Sequence, residues 1–144
     1  MCSFLPQDFC SAHELDRLLL TYGERVEVGG GETLFRADTP AEAIYLIASG
    51  HVALVRAPVV WGGPDSRFQS VTPGGIVGDL DLVLGERRTF GGEATEATVV
   101  YRLSRAALAR MEGEDPALAH ALAKRQLRDM CVHIKDVSFR RLHT

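Results

Sequence analysis

The chain has 144 residues, enough for one domain with a buried core, and its content of 46% hydrophobic and 24% charged residues is typical of a soluble globular protein. The net charge of −3 disfavours general nucleic-acid binding, and no apolar run has the length that crosses a bilayer. The N-terminus has no basic segment followed by an apolar stretch, so we expect no export signal.

The first helix is predicted over residues 11–22. Ser11 and Glu14 have the spacing of a capping box, and leucines then recur on one face as far as Tyr22. Gly23 is a good residue to end this helix, because glycine adopts the left-handed conformation at low cost.

Between residues 24 and 103 the pattern changes to short β-prone segments that are separated by turns rich in Gly, Pro and Asp. The predicted strands are 25–28, 33–35, 43–47, 51–56, 67–71, 94–98 and 99–103. Many short strands at close spacing indicate an eight-strand double-sheet barrel of jelly-roll type. The predicted fold class is therefore mainly β with flanking helices, in a single domain over residues 1–144.

Helical periodicity returns over residues 104–137. Gly113 interrupts it, and Asp115-Pro116 has the form of a cap followed by proline at the first helical position. Apolar residues then follow a three–four spacing from Leu127 to Val137, as in a helix that packs on the core or pairs with a second copy.

Charge and cysteines restrict the context of the chain. Residues 117–144 contain six Lys or Arg and two Asp, so this segment carries +4 and residues 1–116 carry −7. The basic segment is either a solvated helix face or a surface for an acidic partner or membrane. Cys2, Cys10 and Cys131 lack paired spacing, which favours free thiols in a reducing compartment over a Cys2–Cys10 disulfide.

The segment 74–90 interrupts the strands and has the composition of an anion pocket. A glycine that lets the backbone approach a ligand precedes a short apolar turn with a carboxylate at its start, and an arginine pair and a hydroxyl follow. Converging N–H donors and a fixed positive charge are what a phosphate requires, and the carboxylate can accept from a sugar hydroxyl. The pattern therefore predicts a small phosphorylated sugar as ligand. The candidate contacts are Gly78, Asp79, Leu80, Arg87, Arg88 and Thr89.

Simpler interpretations of these residues stay open. Arg87 and Arg88 can form a solvated pair beside Glu86, and Asp79 and Asp81 can cap a helical turn. Catalysis is not expected, because the strands lack the clustered His and carboxylate ligands of a metal-dependent barrel enzyme and no nucleophile motif is present. We therefore predict no enzyme activity, no metal and no cofactor.

The order of elements resembles the cyclic nucleotide-binding domain family from Leu15 to about Met130. Members carry Phe-Gly-Glu-Leu-Ala-Leu followed by Arg and small residues, and Val77–Leu82 and Arg88–Phe90 are similar to these two parts. Further similar stretches are Gly31–Asp38, Ile44–Val52 and Val99–Ser104. The segment from Glu112 to Ala119 looks most like the members fused to SulP-type anion transporters and their STAS domains.

The resemblance implies a role for each candidate residue. Gly78 would direct backbone N–H groups at a cyclic phosphate, and Asp79 and Leu80 would begin a helix whose N-terminus faces it. Arg88 would pair with a phosphate oxygen, and Thr89 would hydrogen-bond the phosphate through its hydroxyl or its backbone. Asp79 would accept from the ribose 2′-hydroxyl.

The sequence departs from the family pattern at two positions. Asp79 replaces the usual Glu and is shorter by about 1.5 Å, half the length of a hydrogen bond. Phe90 replaces a small residue, so that its ring either turns into the core or fills part of the pocket. Arg87 is a second candidate for the phosphate partner.

The resemblance implies a regulatory domain that senses cAMP or cGMP and signals through its C-terminal helix. The alternative is a ligand-free interaction module of the same fold, which forms a homodimer through that helix or is attached to or partners an anion transporter. Either would be cytoplasmic, as a separate protein or as the cytosolic part of a membrane protein. Direct nucleic-acid binding is not expected, because an added recognition helix needs about 60 further residues.

Overall fold

A computed structural model of the chain describes residues 12–56 and 66–142. The elements are α1 (Ala12–Tyr22), β1 (Glu24–Val28), β2 (Thr33–Phe35), β3 (Ala43–Ser49), β4 (Val52–Arg56), β5 (Ser66–Val71), β6 (Ile76–Val77), α2 (Asp79–Leu84), β7 (Gly91–Ala94), β8 (Thr98–Ser104), α3 (Arg105–Glu114) and α4 (Pro116–Leu142). They fall into two compact units. A β unit holds all these strands and α2, and a helical unit holds α1, α4 and most of α3.

The β unit consists of two four-stranded antiparallel sheets. One has the strand order β1-β8-β3-β6 and the other β2-β7-β4-β5. Strands that are distant in the chain are neighbours in each sheet, as in a jelly roll. The prediction of a mainly β fold with two sheets and flanking helices is confirmed.

Apolar side chains from both sheets form the core of the β unit. Its buried members are Val28, Ala43, Tyr45, Ile47, Val52, Val77, Ala94 and Val100. Residues Ala43–Ile47 of β3 are buried without alternation, and β3 lies between β8 and β6 inside its sheet. The sheets thereby provide a rigid frame for the segment between β6 and β7.

Two predicted elements have bounds that differ from the observed ones by more than two residues, and the short strand β6 was not predicted. The strand predicted at 94–98 was wrong: β7 begins at Gly91 and ends at Ala94, and a turn separates it from β8. Sequence patterns assign the Gly91-Gly92 pair to a loop, but the Phe35 ring covers Gly92 so closely that a Cβ there would lie 2.6 Å from the ring. The last helix continues to Leu142 rather than ending near residue 137.

The helical unit contains buried apolar residues. Leu18 of α1, Met111 of α3, and Leu118 and Leu122 of α4 are each at most 2% exposed. The predicted cap of α4 is confirmed, because the backbone N–H of Leu118 donates to Asp115 Oδ1 at 3.1 Å. Beyond these turns, α4 exposes Leu127 and other apolar residues.

Two predictions fall on residues outside the described ranges: the Ser11 cap and the state of Cys2 and Cys10. Cys131 is an exposed free thiol on α4. Within residues 12–56 and 66–142, no helix combines the length and apolarity that a membrane span requires.

The basic face of α4 is partly neutralised, since Arg125 and Arg128 both lie within 4 Å of Asp129.

Candidate functional site

A short helical cassette connects β6 to the next sheet strand. Gly78 lies directly before α2 with φ of +82°, in the left-handed region that glycine adopts most readily. At the other end of α2, Gly85 has φ of +71°, and the Glu86 N–H donates to the carbonyl of Asp81 at 2.9 Å. These two glycines let the chain enter and leave a single helical turn and a half, so that residues 87–89 return beside Gly78.

The returning segment is fixed to the connection between β2 and β3. The Arg88 N–H donates to the Thr39 carbonyl and the Asp38 N–H donates to the Arg88 carbonyl, both at 2.7 Å. Pro40 and Arg87 form an isolated bridge alongside them. Because the backbone is held on both sides, the directions of the Arg87 and Arg88 side chains are set by the fold.

Arg88 points into the β unit and is only 4% exposed. Its guanidinium donates to the carbonyls of Gly78 and Ala43 and lies 4.6 Å from the centre of the Phe35 ring. A Cβ at position 78 would lie 2.6 Å from Arg88 Nη1, so a larger residue there must displace the guanidinium and also adopt a left-handed backbone.

The environment of Arg88 has opposing electrostatic effects. Burial lowers the pKa of its guanidinium, and the nearby Tyr45, Asp81 and Asp79 raise it. An arginine remains protonated in proteins even after such a decrease. The β unit therefore contains a permanent buried positive charge, which two neutral carbonyls solvate and two carboxylates approach.

Arg87 has the opposite orientation. Its side chain is exposed and forms an ion pair with Asp38, with Nε 2.9 Å from Oδ1. The interpretation of the arginines as a solvated pair is therefore correct for Arg87 and wrong for Arg88. The two adjacent arginines differ because one faces the sheets and the other faces solvent.

A cavity of about 350 Å³ opens beside Arg88 between β2 and β3, a volume within the range of small-molecule sites. Its lining residues are Thr33, Leu34, Phe35, Arg36, Thr39, Pro40, Glu42, Tyr45 and Arg88. The rings of Phe35 and Tyr45 stack with centroids 5.5 Å apart, so that Arg88, Phe35 and Tyr45 form one layered wall. Among the predicted site residues, Arg88 alone lines this cavity.

Sequence reasoning missed the aromatic part of the site. Phe35 and Tyr45 fall within stretches that resemble the family pattern, but strand periodicity alone assigns both to the hydrophobic core. Phe35 ends β2 and Tyr45 lies in β3, and only the structure shows that the connection between them bonds to the Arg88 backbone.

Thr89 is already hydrogen-bonded within the cassette. Its backbone N–H donates to Asp81 Oδ2 at 3.0 Å, and its hydroxyl donates to Asp81 Oδ1 at 2.9 Å. Asp81 is a buried residue of α2, and the only role predicted for it was that of a helix cap. Both groups of Thr89 that were predicted to contact a phosphate thus contact a carboxylate of the protein.

The other predicted contacts lie around the edge of this arrangement. Asp79 begins α2 and is half-buried, whereas Leu80 is 47% exposed. Phe90 is half-buried and is not among the residues that line the cavity beside Arg88. With only six residues, α2 has a weak macrodipole, so the fixed charge of Arg88 is the stronger attraction for an anion.

The described residues contain no cluster of three or more His, Cys, Asp or Glu side chains that could hold a metal ion. The available groups around the cavity are the buried Arg88 guanidinium, the exposed Arg36, an aromatic wall, hydroxyls and the Glu42 carboxylate. Groups of these kinds can bind and orient a small polar molecule.

The fold and the candidate site are those of a jelly-roll module with a glycine-flanked helical cassette and an inward arginine. The chain belongs to the cyclic nucleotide-binding domain family, whose sequence model matches residues 25–115.

Individual relatives agree with this membership. The chain is 30% identical over 116 residues to an uncharacterized NTE family protein of Mycobacterium tuberculosis, covering 80% of this chain and 18% of that protein. It is 30% identical over 125 residues to the cyclic AMP receptor protein of Thermus thermophilus, covering 85% of this chain and 57% of that protein. The chain therefore spans about a fifth to just over half of these relatives.

Solved structures share the architecture. The catabolite activator protein of Thermus thermophilus superposes with a TM-score of 0.70 at 28% identity, covering 93% of this chain and 63% of that chain. A cyclic nucleotide-binding domain from Methylobacillus flagellatus superposes with a TM-score of 0.78 at 23% identity, covering 92% of this chain and 72% of that chain. At 23% identity the second comparison concerns the fold alone.

Proposed function

We propose that this domain is a non-enzymatic regulatory module that binds a cyclic nucleotide, cAMP or cGMP, in the cavity beside Arg88. Membership of the cyclic nucleotide-binding domain family supports the ligand class. The similarity to a cyclic AMP receptor protein supports a regulatory role. The module acts in the cytoplasm, alone or as the cytosolic part of a larger protein.

The observation that carries the proposal is the buried guanidinium of Arg88 at the wall of the cavity. Placing a cation there has a desolvation cost, which two carbonyls only partly offset. An anion of the ligand would restore the lost electrostatic stabilisation, since charge-assisted hydrogen bonds are about twice as strong as neutral ones. Asp79, at the start of the cassette, would accept from the ribose hydroxyl.

The output of the proposed module is a change in the placement of α4. A ligand shifts such an equilibrium only through different contacts with the two placements. The first turns of α4 are anchored by Leu118 and Leu122, whereas the turns beyond them expose apolar residues that a second placement can cover.

Calorimetric titration with cAMP and with cGMP tests the ligand. We expect saturable binding by the unmodified protein, loss of binding in Arg88→Gln, and unchanged binding in Arg87→Gln. The two variants remove the same charge from adjacent positions, so the Arg87 variant is a matched control. Circular dichroism verifies that each variant is folded, and Arg88→Lys, which keeps the charge, replaces Arg88→Gln if that variant is unfolded. Absence of heat at millimolar ligand in the unmodified protein would contradict the proposal.

A second function is favoured by the exposed face of α4. Leu127 and Ile134 are each 62% exposed and lie two turns apart, with the partly buried Met130 between them. This spacing is typical of a helix that pairs with another helix. In this alternative the domain is an interaction module that has lost its ligand and forms a homodimer through α4 or associates with an anion transporter.

Sedimentation velocity over a range of protein concentrations tests the second function. A dimer that Leu127→Glu and Ile134→Glu dissociate, together with no heat on addition of either nucleotide, supports the interaction module. A monomer at all concentrations excludes self-association through α4.

A further inference from the structure

Asp81 and Thr89 form a closed contact at the centre of the cassette. Both carboxylate oxygens are engaged by one residue, at 3.0 Å from the Thr89 backbone nitrogen and 2.9 Å from its hydroxyl. The pairing depends on the turn after α2, because Gly85 in the left-handed region brings residue 89 back beside residue 81. Asp81 is 7% exposed, so its carboxylate is largely shielded from water, whereas Thr89 is an exposed residue.

A carboxylate in this position matches the ligand group that the donors would otherwise bind. It carries one negative charge over two oxygens, as does the phosphodiester of a cyclic nucleotide, which has two non-bridging oxygens. Hydrogen-bond donors that point at an anion can donate to either group. They do not serve both at the same time, because each N–H or O–H makes one strong hydrogen bond.

The charges around Arg88 favour the same interpretation. Asp81 and Asp79 both act electrostatically on this guanidinium. With Asp79, Asp81 and Glu86 against Arg87 and Arg88, residues 78–89 carry a formal net charge of −1 before any ligand enters. A phosphate that arrives while Asp81 keeps its place meets net negative charge and engaged donors.

We propose that the Asp81 carboxylate occupies an anion-binding position formed by the backbone N–H and the hydroxyl of Thr89. A ligand phosphate binds at this position only when it displaces the carboxylate. The inference rests on the proposed binding of a cyclic nucleotide and concerns the regulation of that site. In the closed state Asp81 is hydrogen-bonded to Thr89, and in the open state Asp81 is displaced. The apparent dissociation constant is the intrinsic value divided by the open fraction, so a tenfold preference for the closed state weakens binding about tenfold.

A purely structural role for Asp81 predicts a different behaviour. If the carboxylate only fastens the turn after α2, its removal lowers stability and leaves affinity unchanged or reduced. Displacement predicts instead that its removal raises affinity, whatever happens to stability. The direction of the change in affinity therefore separates the two roles.

The experiment compares Asp81→Ala and Asp81→Asn with the unmodified protein. Asp38→Asn is the matched control, because it removes one carboxylate from an exposed ion pair of the same unit. Calorimetry with cAMP and cGMP should give dissociation constants that fall about tenfold or more in Asp81→Ala and by less in Asp81→Asn, whose amide oxygen still accepts one hydrogen bond. Asp81→Asn keeps the inference testable if Asp81→Ala does not fold.

Inorganic phosphate is the second probe, followed through the backbone amide resonance of Thr89. Equal nucleotide affinity in Asp81→Ala, Asp38→Asn and the unmodified protein overturns the inference and leaves the proposed function intact. If no nucleotide binds any variant, but phosphate shifts the Thr89 resonance in Asp81→Ala and not in the control, the proposed function fails and the inference holds. If neither probe binds any variant, both are wrong.

Discussion

Gly78 lies so close to Arg88 that replacing one of its Cα hydrogens by a methyl group should destabilise the protein. In Gly78→Ala, the new Cβ would lie 2.6 Å from Arg88 Nη1, far inside van der Waals contact. The guanidinium cannot move freely, because it donates to Ala43 and packs against Phe35. The substitution must therefore displace Arg88 or distort the start of α2.

The cost has two parts. An alanine in the left-handed region is destabilised by about 1–2 kcal/mol. Loss of one hydrogen bond between a buried guanidinium and a carbonyl adds about 1.5–3 kcal/mol. Gly85→Ala is a matched control, since Gly85 has a similar φ of +71° and a Cβ at that position would meet nothing within 4 Å. We expect the free energy of unfolding to fall by about 2 kcal/mol more in Gly78→Ala than in Gly85→Ala.

Urea unfolding followed by far-ultraviolet circular dichroism measures this difference without any ligand. The slopes of the two unfolding curves should agree, so that the midpoints report stability alone. If Gly78→Ala and Gly85→Ala lose the same free energy of unfolding, Arg88 is not held against Gly78 and the described wall of the cavity is wrong.

Three further predictions follow from contacts within one unit. Thr98→Val should lower the free energy of unfolding by about 1–2 kcal/mol, because the buried hydroxyl bonds to His51 and Glu96, whereas Thr95→Val, at an exposed site, should have little effect in the same urea assay. Burial and the bond to Glu114 raise the pKa of Tyr22 above 10.0, so the folded state retains this proton more tightly. The contribution of Tyr22 to the free energy of unfolding should be constant below about pH 10 and should decrease above it. Tyr22→Phe should remove this decrease, which unfolding curves at about pH 9 and 11 measure. Gly92→Ala should lower the thermal midpoint, and Phe35→Leu in the same chain should restore part of it, since the Cβ at 92 meets the Phe35 ring.

Local patterns in the sequence predicted the frame of the molecule well. Asp115-Pro116 marked the start of α4, because a cap and a proline at the first turn act within a few residues. The valine-rich segments marked most strands, because alternating burial follows directly from strand geometry. The boundary of β7 was wrong because the glycine pair is in a strand through pairing with β2 and β4, which are distant in the sequence.

The candidate site was predicted only in part. The sequence located the cassette and proposed both arginines, but the opposite directions of Arg87 and Arg88 result from backbone bonds to residues about 50 positions earlier. The pairing of Asp81 with Thr89 joins a helix to the segment after its turn, and no periodic pattern reports such a contact. Whether the predicted residues contact a nucleotide stays a prediction that the titrations address.

The ring of Phe35 contacts three positions that are distant in the sequence, so changes at these positions are coupled in evolution. It fills the space above Gly92, stacks on Tyr45 and supports Arg88. During divergence, a larger residue at position 92 can be accepted only together with a smaller one at position 35, and that exchange also removes the aromatic support of the arginine. Homologous chains should therefore separate into two lineages. One lineage retains Phe35, Gly92 and Arg88, and the other has lost these three residues together.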